Sequence, residues 1–239
     1  MFALPKTGNF RMLTHTTMNA MNNPNDTYRH QGMRKKLVDQ LRSKGIADAN
    51  VLEAMLRVPR HLFFDSAFVD RSYEDKAFPI GEGQTISQPY TVAYQTALLQ
   101  VRKGDKILEI GTGSGYQAAV LFEAGARVYT IERQRKLFDK TRILLPRIGY
   151  TGIKLHYGDG FEGLPTYAPF DKILITAGAS EFPEKLMHQL KPGGFMVIPM
   201  GDDVQLMKRF TRLASGEIAE ETFDAFKFVP LLHGKANNH

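Results

Sequence analysis

Three closely spaced glycines, at positions 111, 113 and 115, are the feature of this chain that most clearly indicates chemistry. They directly follow a short apolar segment that ends in Glu109 and Ile110. Because glycine lacks a Cβ atom and tolerates positive φ, backbone amides in such a turn can approach a bound cofactor closely. We therefore predict a cofactor site at the carboxyl end of a strand. Its first predicted residues are Glu109, Gly111, Thr112, Gly113 and Ser114.

The spacing of these glycines separates two classes of cofactor. A dinucleotide-binding turn has the pattern G-x-G-x-x-G/A, which would require Gly or Ala at position 116. That position is Tyr116. Residues 109–115 instead resemble the E/D-x-G-x-G-x-G turn of class I methyltransferases, and this resemblance implies S-adenosyl-L-methionine as the cofactor.

A second acid supports a nucleotide-like ligand. Glu132 ends the next predicted strand and follows Gly113 by 19 residues, close to the spacing at which an acid reaches ribose hydroxyls in nucleotide-binding α/β units. We predict that Glu132 accepts from the 2′- and 3′-hydroxyls and that Arg133 lies in the same site. The alternative is a solvated acid at a strand end beside Arg133.

A third polar turn, Gly158-Asp159-Gly160, follows the strand predicted at residues 153–157. In open α/β sheets, ligands lie outside the carboxyl ends of the strands. We therefore predict that Asp159 or the neighbouring amides contact the adenine. An ordinary Asp-Gly turn is the alternative.

The loop from Gly81 to Tyr90 is a less common feature. Within it, the hydroxyl residues Thr85 and Ser87 alternate, and Pro89 suits the first turn of a helix. The hydroxyl of Ser87 can therefore either cap that helix or face a ligand. The spacing by itself leaves both interpretations open.

The elements that must position these turns alternate regularly along the chain. Strands separated by helices are typical of a parallel sheet that is covered on both faces. We expect helices from residue 31 onward to precede the sheet, and apolar segments at 204–210 and 223–232 to add antiparallel edge strands. The predicted strands are 106–110, 127–132, 153–157, 171–176 and 194–199, and the helices between them are 115–124, 134–147 and 182–190.

The composition limits the possible functions. The 239 residues include no cysteine, which excludes disulfides, thiolate metal sites and a cysteine nucleophile; we predict no metal. No run approaches ~18 apolar residues, and the N-terminus lacks the apolar region of a signal peptide, so we expect a cytoplasmic protein. Residues 1–30 are predicted to be a poorly ordered extension and residues 31–239 a single domain.

The formal net charge is +6, and the basic residues that cause it are scattered along the chain. Most Lys and Arg residues lie at spacings typical of exposed helix faces, which favours a solvated surface over a nucleic-acid interface. Attraction of an anionic peptide is an equally good interpretation.

Three motifs together resemble one family. Residues 58–63 (Val-Pro-Arg-His-Leu-Phe), 83–90 (Gly-Gln-Thr-Ile-Ser-Gln-Pro-Tyr) and 108–116 are similar to protein-L-isoaspartate O-methyltransferases. Further similarities at 158–160, 190–194, 198–201 and 228–231 extend the resemblance over roughly 31–232. It implies a class I methyltransferase fold, which is a doubly wound, Rossmann-like, mostly parallel α/β sheet with antiparallel C-terminal edge strands and N-terminal helices.

The resemblance also implies a reaction. A methyl group passes from S-adenosyl-L-methionine to the α-carboxylate of L-isoaspartyl residues in damaged proteins, and the ester then collapses without the enzyme to a succinimide, part of which opens to aspartate. Ser87 is implied to be the catalytic residue that hydrogen-bonds the carboxylate, with Thr85 and Ile86 on the same wall. Lys227 stands where many members have Arg, which leaves the role of that position open.

This reaction needs little acid–base help, because the carboxylate is ionised at neutral pH and the methyl group is carried by a sulfonium. His61 and His156 are therefore expected to be structural. One alternative is a methyltransferase that acts on a small molecule or nucleic acid; residues 85–87 argue against it. The other alternative is a non-catalytic binding module; Glu132 and Asp159 argue against that. We expect a monomer that acts on isoaspartyl proteins and peptides, without nucleic-acid or membrane partners.

Overall fold

The computed structural model describes residues 25–236, which contain nine strands. All the central strands lie within two residues of the predicted positions, except that β7 is longer. In chain order the strands are β1 (Phe78–Gly81), β2 (Gln84–Ile86), β3 (Lys106–Ile110), β4 (Arg127–Glu132), β5 (Lys154–Tyr157), β6 (Phe170–Ile175), β7 (Leu190–Met200), β8 (Gln205–Arg212) and β9 (Ile218–Phe226).

Strands β3 to β9 form one sheet in the order β5-β4-β3-β6-β7-β8-β9. The five strands β3 to β7 are parallel, whereas β8 and β9 are antiparallel at one edge. The predicted mostly parallel sheet with antiparallel C-terminal edge strands is thus confirmed. The chain builds outward from β3 to β5 and returns on the other side of β3 as β6. In open sheets a crevice for ligands opens where the strand order reverses in this way.

The buried apolar residues of the described α-helices lie in the apolar layer on one face of this sheet, except for Leu186 and Met187 of the last helix, which belong to the layer on the other face. The helices are α1 (Tyr28–Ser43), α2 (Ala49–Arg57), α3 (Pro89–Leu98), α4 (Tyr116–Glu123), α5 (Arg135–Arg147) and the single turn α6 (Glu184–Met187), with short 3₁₀ helices at Arg60–Phe63, Ser66–Arg71 and Pro165–Tyr167. Asp48 caps α2, because its Oδ1 accepts from the Val51 amide at 3.2 Å.

The N-terminal boundary lies earlier than predicted. Helix α1 begins at Tyr28 after the N-cap Thr27, and Asp26 forms a 2.9 Å ion pair with Arg34. Residues 25–30 therefore belong to the folded part. The rest of the predicted N-terminal extension, residues 1–24, lies outside the described residues.

Three segments differ from the sequence prediction. Residues 78–86, expected to be a loop, form the antiparallel hairpin β1–β2. The helix predicted at 182–190 is the single turn Glu184–Met187, and the strand predicted at 194–199 already begins at Leu190 and includes Gly193. The last strand ends at Phe226 instead of residue 232; beyond it the backbone bonds Gly178, whose amide donates to the Val229 carbonyl and whose carbonyl accepts from the Leu231 amide.

Side chains of β3 alternate between the two apolar layers of the protein. Ile107 packs with the layer that contains α1 to α4, whereas Leu108 and Ile110 belong to the layer on the opposite face. A strand buried on both faces reads as a nearly continuous apolar run. This explains why the position of β3 could be predicted exactly.

Glu109 interrupts this apolar strand and is fully buried. One carboxyl oxygen accepts from the Thr130 hydroxyl at 2.5 Å, and the other has no hydrogen-bond partner among the described residues. Burial raises the pKa of Glu109 to about 8; the Thr130 hydrogen bond opposes this shift and the charge of Glu132 adds to it. At neutral pH the carboxyl is therefore mostly protonated.

We predict that Glu109→Gln changes how stability depends on pH. The folded wild type keeps this proton up to about pH 8, whereas the unfolded chain loses it near about 4.3. Between these values the free energy of unfolding of the wild type falls as pH rises, by up to about 1.4 kcal/mol per unit. Because Gln does not titrate, the variant should gain stability relative to the wild type from about pH 5 to about pH 8. Urea unfolding at both pH values tests this, and a difference that is the same at both would contradict it.

Candidate active site

A cavity with an open volume of about 800 Å³ lies at the carboxyl ends of β3, β4 and β6, where the strand order reverses. We call it the first cavity. Of the predicted site residues, Glu109, Gly158 and Asp159 are not on its wall. Those that line it are Thr85, Ile86, Ser87, Gly111, Thr112, Gly113, Ser114, Glu132, Arg133 and Gly160.

The glycine turn after β3 is shaped for close approach. Gly111 has a φ of +97°, and a Cβ atom there would lie 2.6 Å from the Oγ1 atom of Thr176. A larger residue would thus be both strained and obstructed. The Thr176 hydroxyl lies 2.9 Å from the carbonyl oxygen of Ile110 and 2.8 Å from that of Gly111. These contacts hold the end of β6 against the turn.

Glu132 joins the ends of β3 and β4. Its two oxygens accept from the amides of Gly113 and Gln134, both at 2.8 Å. Burial raises the pKa of Glu132, against the effect of these amides and of the Arg133 charge. Each carboxylate oxygen can accept more than one hydrogen bond, so this carboxylate is fixed at the cavity wall with acceptor capacity left for two neighbouring hydroxyls.

The other two predicted acids, Glu109 and Asp159, form hydrogen bonds with other residues of the protein. Glu109 binds the Thr130 hydroxyl, whose oxygen lies 2.7 Å from the hydroxyl oxygen of Thr112 on the cavity wall. The Oδ2 atom of Asp159 accepts from the Gly234 amide at 2.7 Å. In this structure both carboxyls therefore contact residues that in turn line or cover the cavity. A direct contact of either with the cofactor stays a prediction.

Ser87 lies between the hairpin and a helix. Strand β2 ends at Ile86, and helix α3 has Gln88 as its N-cap, with no side-chain cap hydrogen bond. The first turn of α3 is instead held by Asp75, whose Oδ1 accepts from the Tyr90 amide at 2.8 Å. The structure therefore does not use Ser87 as the cap of α3.

A second cavity, with an open volume of about 1060 Å³, adjoins the first. Ser87 lines both cavities, together with Thr85, Thr176 and Val229. The exposed Lys227 places a positive charge on the wall of the second cavity. Two ligands, one in each cavity, would meet at Ser87.

Sequence reasoning missed the part of the wall formed by residues 228–236, which we call the C-terminal segment. Its residues 229–232 line the first cavity. Gly178 anchors the segment, because its amide donates to the Val229 carbonyl at 2.8 Å and its carbonyl accepts from Leu231 at 2.7 Å. Arg133 donates to the Gly234 carbonyl at 3.0 Å. The family similarity at residues 228–231 was the available signal for this segment, although it did not indicate what the segment does.

A group of potential metal ligands lies near the N-terminus of the described chain. Donor atoms of Asp26, His30 and His61 lie within 4.8 Å of one another. Both oxygens of Asp26 accept from Arg34, at 2.9 and 3.0 Å, so the negative charge is already balanced. His61 bonds the Tyr73 hydroxyl at 2.8 Å, and burial lowers its pKa. These contacts support a structural role for His61.

Comparisons with known proteins agree with this geometry. The model of the family "Protein-L-isoaspartate(D-aspartate) O-methyltransferase (PCMT)" matches residues 32–236. A protein-L-isoaspartate O-methyltransferase of Christiangramia forsetii is 57% identical over 210 residues, which are 88% of this chain and 99% of that protein. One of Flavobacterium psychrophilum is 58% identical over 210 residues, with the same coverage.

The fold has a solved counterpart. A putative protein-L-isoaspartate O-methyltransferase of Plasmodium falciparum, in complex with S-adenosyl-L-homocysteine, superimposes with a TM-score of 0.74 at 26% identity. The match covers 83% of this chain and 98% of that one. Sequence, fold and cavity thus agree, and the chain belongs to the protein-L-isoaspartate(D-aspartate) O-methyltransferase family.

Proposed function

We propose that the first cavity binds the cofactor and the second binds the isoaspartyl side chain, with Ser87 at the point of methyl transfer. The family reaction is S-adenosyl-L-methionine-dependent methylation of L-isoaspartyl residues, a step of protein repair. The observation that carries this assignment of cavities is that both are lined by Ser87, whose side chain does not cap the following helix.

The first cavity fits S-adenosyl-L-methionine in the residues that surround it. Glu132 accepts from the two ribose hydroxyls, while the glycine turn allows backbone to approach the rest of the cofactor. Gly160 and the C-terminal segment provide the wall for the adenine. When bound, the cofactor supplies a methyl group on a positively charged sulfur.

Ser87 orients the substrate. Its hydroxyl donates to one oxygen of the α-carboxylate, so that the other oxygen faces the first cavity. An ionised carboxylate is already a nucleophile at neutral pH, and alignment of the reacting atoms supplies much of the rate enhancement. The methyl ester then closes to a succinimide without help from the enzyme.

No side chain is needed as a general base. Both histidines considered from the sequence lie away from the cavities: His61 bonds Tyr73, and His156 packs beside Tyr167 with ring centroids 4.9 Å apart. Burial lowers the pKa of both imidazoles, which keeps them neutral at physiological pH. This supports a mechanism of orientation without proton transfer.

The substrates are isoaspartyl proteins and peptides. Within residues 25–236, no helix combines the length and the apolar composition that crossing a bilayer requires. The proposal extends to a cytoplasmic monomer without a nucleic-acid partner, supported by the scattered basic residues and the absence of cysteine. Lys227 would attract the anionic substrate toward the second cavity.

The proposed function predicts base-labile methyl esters on an isoaspartyl peptide and almost none on its aspartyl twin. In an isoaspartyl residue the free α-carboxylate is attached directly to Cα and the main chain carries the extra methylene, whereas in the aspartyl twin the free carboxylate is the β-carboxylate at the end of a methylene; the second cavity should accept only the first arrangement. Transfer of tritiated methyl groups to the two peptides measures this. Equal methylation of both peptides, or methylation of RNA instead, would overturn the assignment.

Ser87→Ala should reduce kcat/KM for the isoaspartyl peptide by about ten- to a hundredfold, the cost of losing a hydrogen bond to a charged group. The melting temperature and the affinity for S-adenosyl-L-homocysteine should barely change. Ser43→Ala is the matched control, because this exposed serine only donates to the Gln40 carbonyl in α1. A lower melting temperature with normal kinetics for Ser87→Ala would make Ser87 structural.

Glu132→Gln should weaken binding of S-adenosyl-L-homocysteine by about ten- to a hundredfold, because hydrogen bonds to a charged acceptor contribute roughly 1.5–3 kcal/mol each. Gln keeps an oxygen for the Gly113 amide but turns its NH2 group toward the Gln134 amide, so the melting temperature is measured together with the affinity. Asp171→Asn is the control, since this carboxylate accepts from the Lys106 amide at 2.7 Å at the amino ends of β3 and β6, away from the cavity. Calorimetric titration measures both variants, and unchanged affinity in folded Glu132→Gln would refute the ribose role.

A further inference from the structure

Arg60 is a buried cation to which the proposed reaction mechanism assigns no role. It lies in the 3₁₀ helix Arg60–Phe63, within the motif at residues 58–63, and its side chain is 0% exposed. Taking a guanidinium out of water costs free energy unless strong contacts compensate. A buried arginine at this position therefore needs an explanation from its contacts.

Two backbone carbonyls receive the hydrogen bonds of Arg60. Its Nε donates to the Ser72 carbonyl at 2.9 Å, and its Nη2 donates to the Ser87 carbonyl at 2.8 Å. The second contact joins residues that are 27 positions apart in the chain. Arg60 thus holds the backbone of a residue that lines both cavities.

Aromatic rings complete the surroundings of the guanidinium. Its carbon lies 4.5 Å from the ring centroid of Tyr116 and 5.3 Å from that of Phe64, a geometry in which a cation is attracted to the ring face. Tyr116 is the first residue of α4 and also lines the first cavity. Arg60 therefore ties the serine to the helix that follows the glycine turn.

A direct carboxylate partner does not explain this burial. Asp75 acts on Arg60 electrostatically, but its own oxygens bind the Lys44 ammonium at 2.6 Å and the Tyr90 amide at 2.8 Å. The planar fork of a guanidinium, in contrast, can reach two carbonyls in fixed directions, which a lysine ammonium on a flexible stem does less well.

We infer that Arg60 is a positioning residue for methyl transfer, which fixes the Ser87 peptide group so that the serine hydroxyl points to the junction of the two cavities. This inference rests on the proposed role of Ser87. Arg60 itself touches neither substrate. It acts through the carbonyl of Ser87, behind the wall that the cofactor and the isoaspartyl side chain share.

The test is Arg60→Lys, which keeps the positive charge and loses the fork. We expect kcat/KM for the isoaspartyl peptide to fall by about tenfold, while the affinity for S-adenosyl-L-homocysteine stays within about twofold. Arg34→Lys is the matched control. Arg34 is also buried and donates to the Leu56 carbonyl at 2.6 Å, but it pairs with Asp26 and contacts neither cavity. It should lower the melting temperature without changing the kinetics.

A double-mutant cycle separates positioning from general destabilisation. Ser87→Ala keeps the carbonyl that Arg60 binds and removes only the hydroxyl that Arg60 would orient. In that background Arg60→Lys should change kcat/KM by less than about twofold, because coupled residues are not additive. Effects that multiply independently, or equal losses of activity and cofactor affinity in Arg60→Lys, would overturn the inference.

A second variant keeps the inference testable if Arg60→Lys fails to fold. Phe64→Leu removes one ring face from the guanidinium and leaves both hydrogen bonds possible; it should lower kcat/KM by about threefold, and only when Ser87 is present. Normal activity of Ser87→Ala in the wild-type background would instead refute the proposed role of Ser87. If Ser87→Ala is impaired, but Arg60→Lys and Phe64→Leu either leave kcat/KM unchanged or lower it by the same factor with and without Ser87, the role of Ser87 stands and only the positioning role of Arg60 is refuted.

Discussion

The hydrogen bond from the Gly113 amide to the Glu132 carboxylate is the contact on which the site depends. It joins the turn after β3 to the end of β4, and so sets the width of the first cavity. The same carboxylate is the proposed acceptor for the ribose, which means that one group serves both the fold and the ligand. Glu109 lies close enough for its pKa to respond to the charge of Glu132. Because two neighbouring buried carboxylates are costly to ionise together, a protonated Glu109 allows Glu132 to keep its charge.

The central sheet could be predicted because its strands are buried on both faces. Such strands appear in the sequence as apolar runs bounded by glycine or polar turns, and β3 and β4 have the predicted limits. The hairpin β1–β2 was missed because its strands have only four and three residues and include Pro79. Strand β9 was placed too late because most of its side chains are exposed, so no apolar period marks it.

The sequence predicted residues of the cavity wall where a single turn contains the whole pattern. The glycine turn and Glu132 are such cases, since each follows directly from the end of a strand. Contacts between distant residues left no local pattern: Asp75 replaces Ser87 at the start of α3, and the C-terminal segment closes a wall of the first cavity. Likewise, no spacing in the sequence connects Arg60 with Ser87. Only the folded chain brings these pairs together.

The meeting of two separate cavities at a few residues has a consequence for the range of proteins that can be repaired. In the proposed arrangement the cofactor occupies the first cavity, so a client protein has to insert only the damaged residue and its nearest neighbours where the two cavities meet. The bulk of the client stays in solvent, and its size and fold impose no direct limit. The client must provide local flexibility, which means a loop or terminus that can move away from the client's own surface and enter the second cavity. Damage within a rigid strand or helix would have to wait for that element to open.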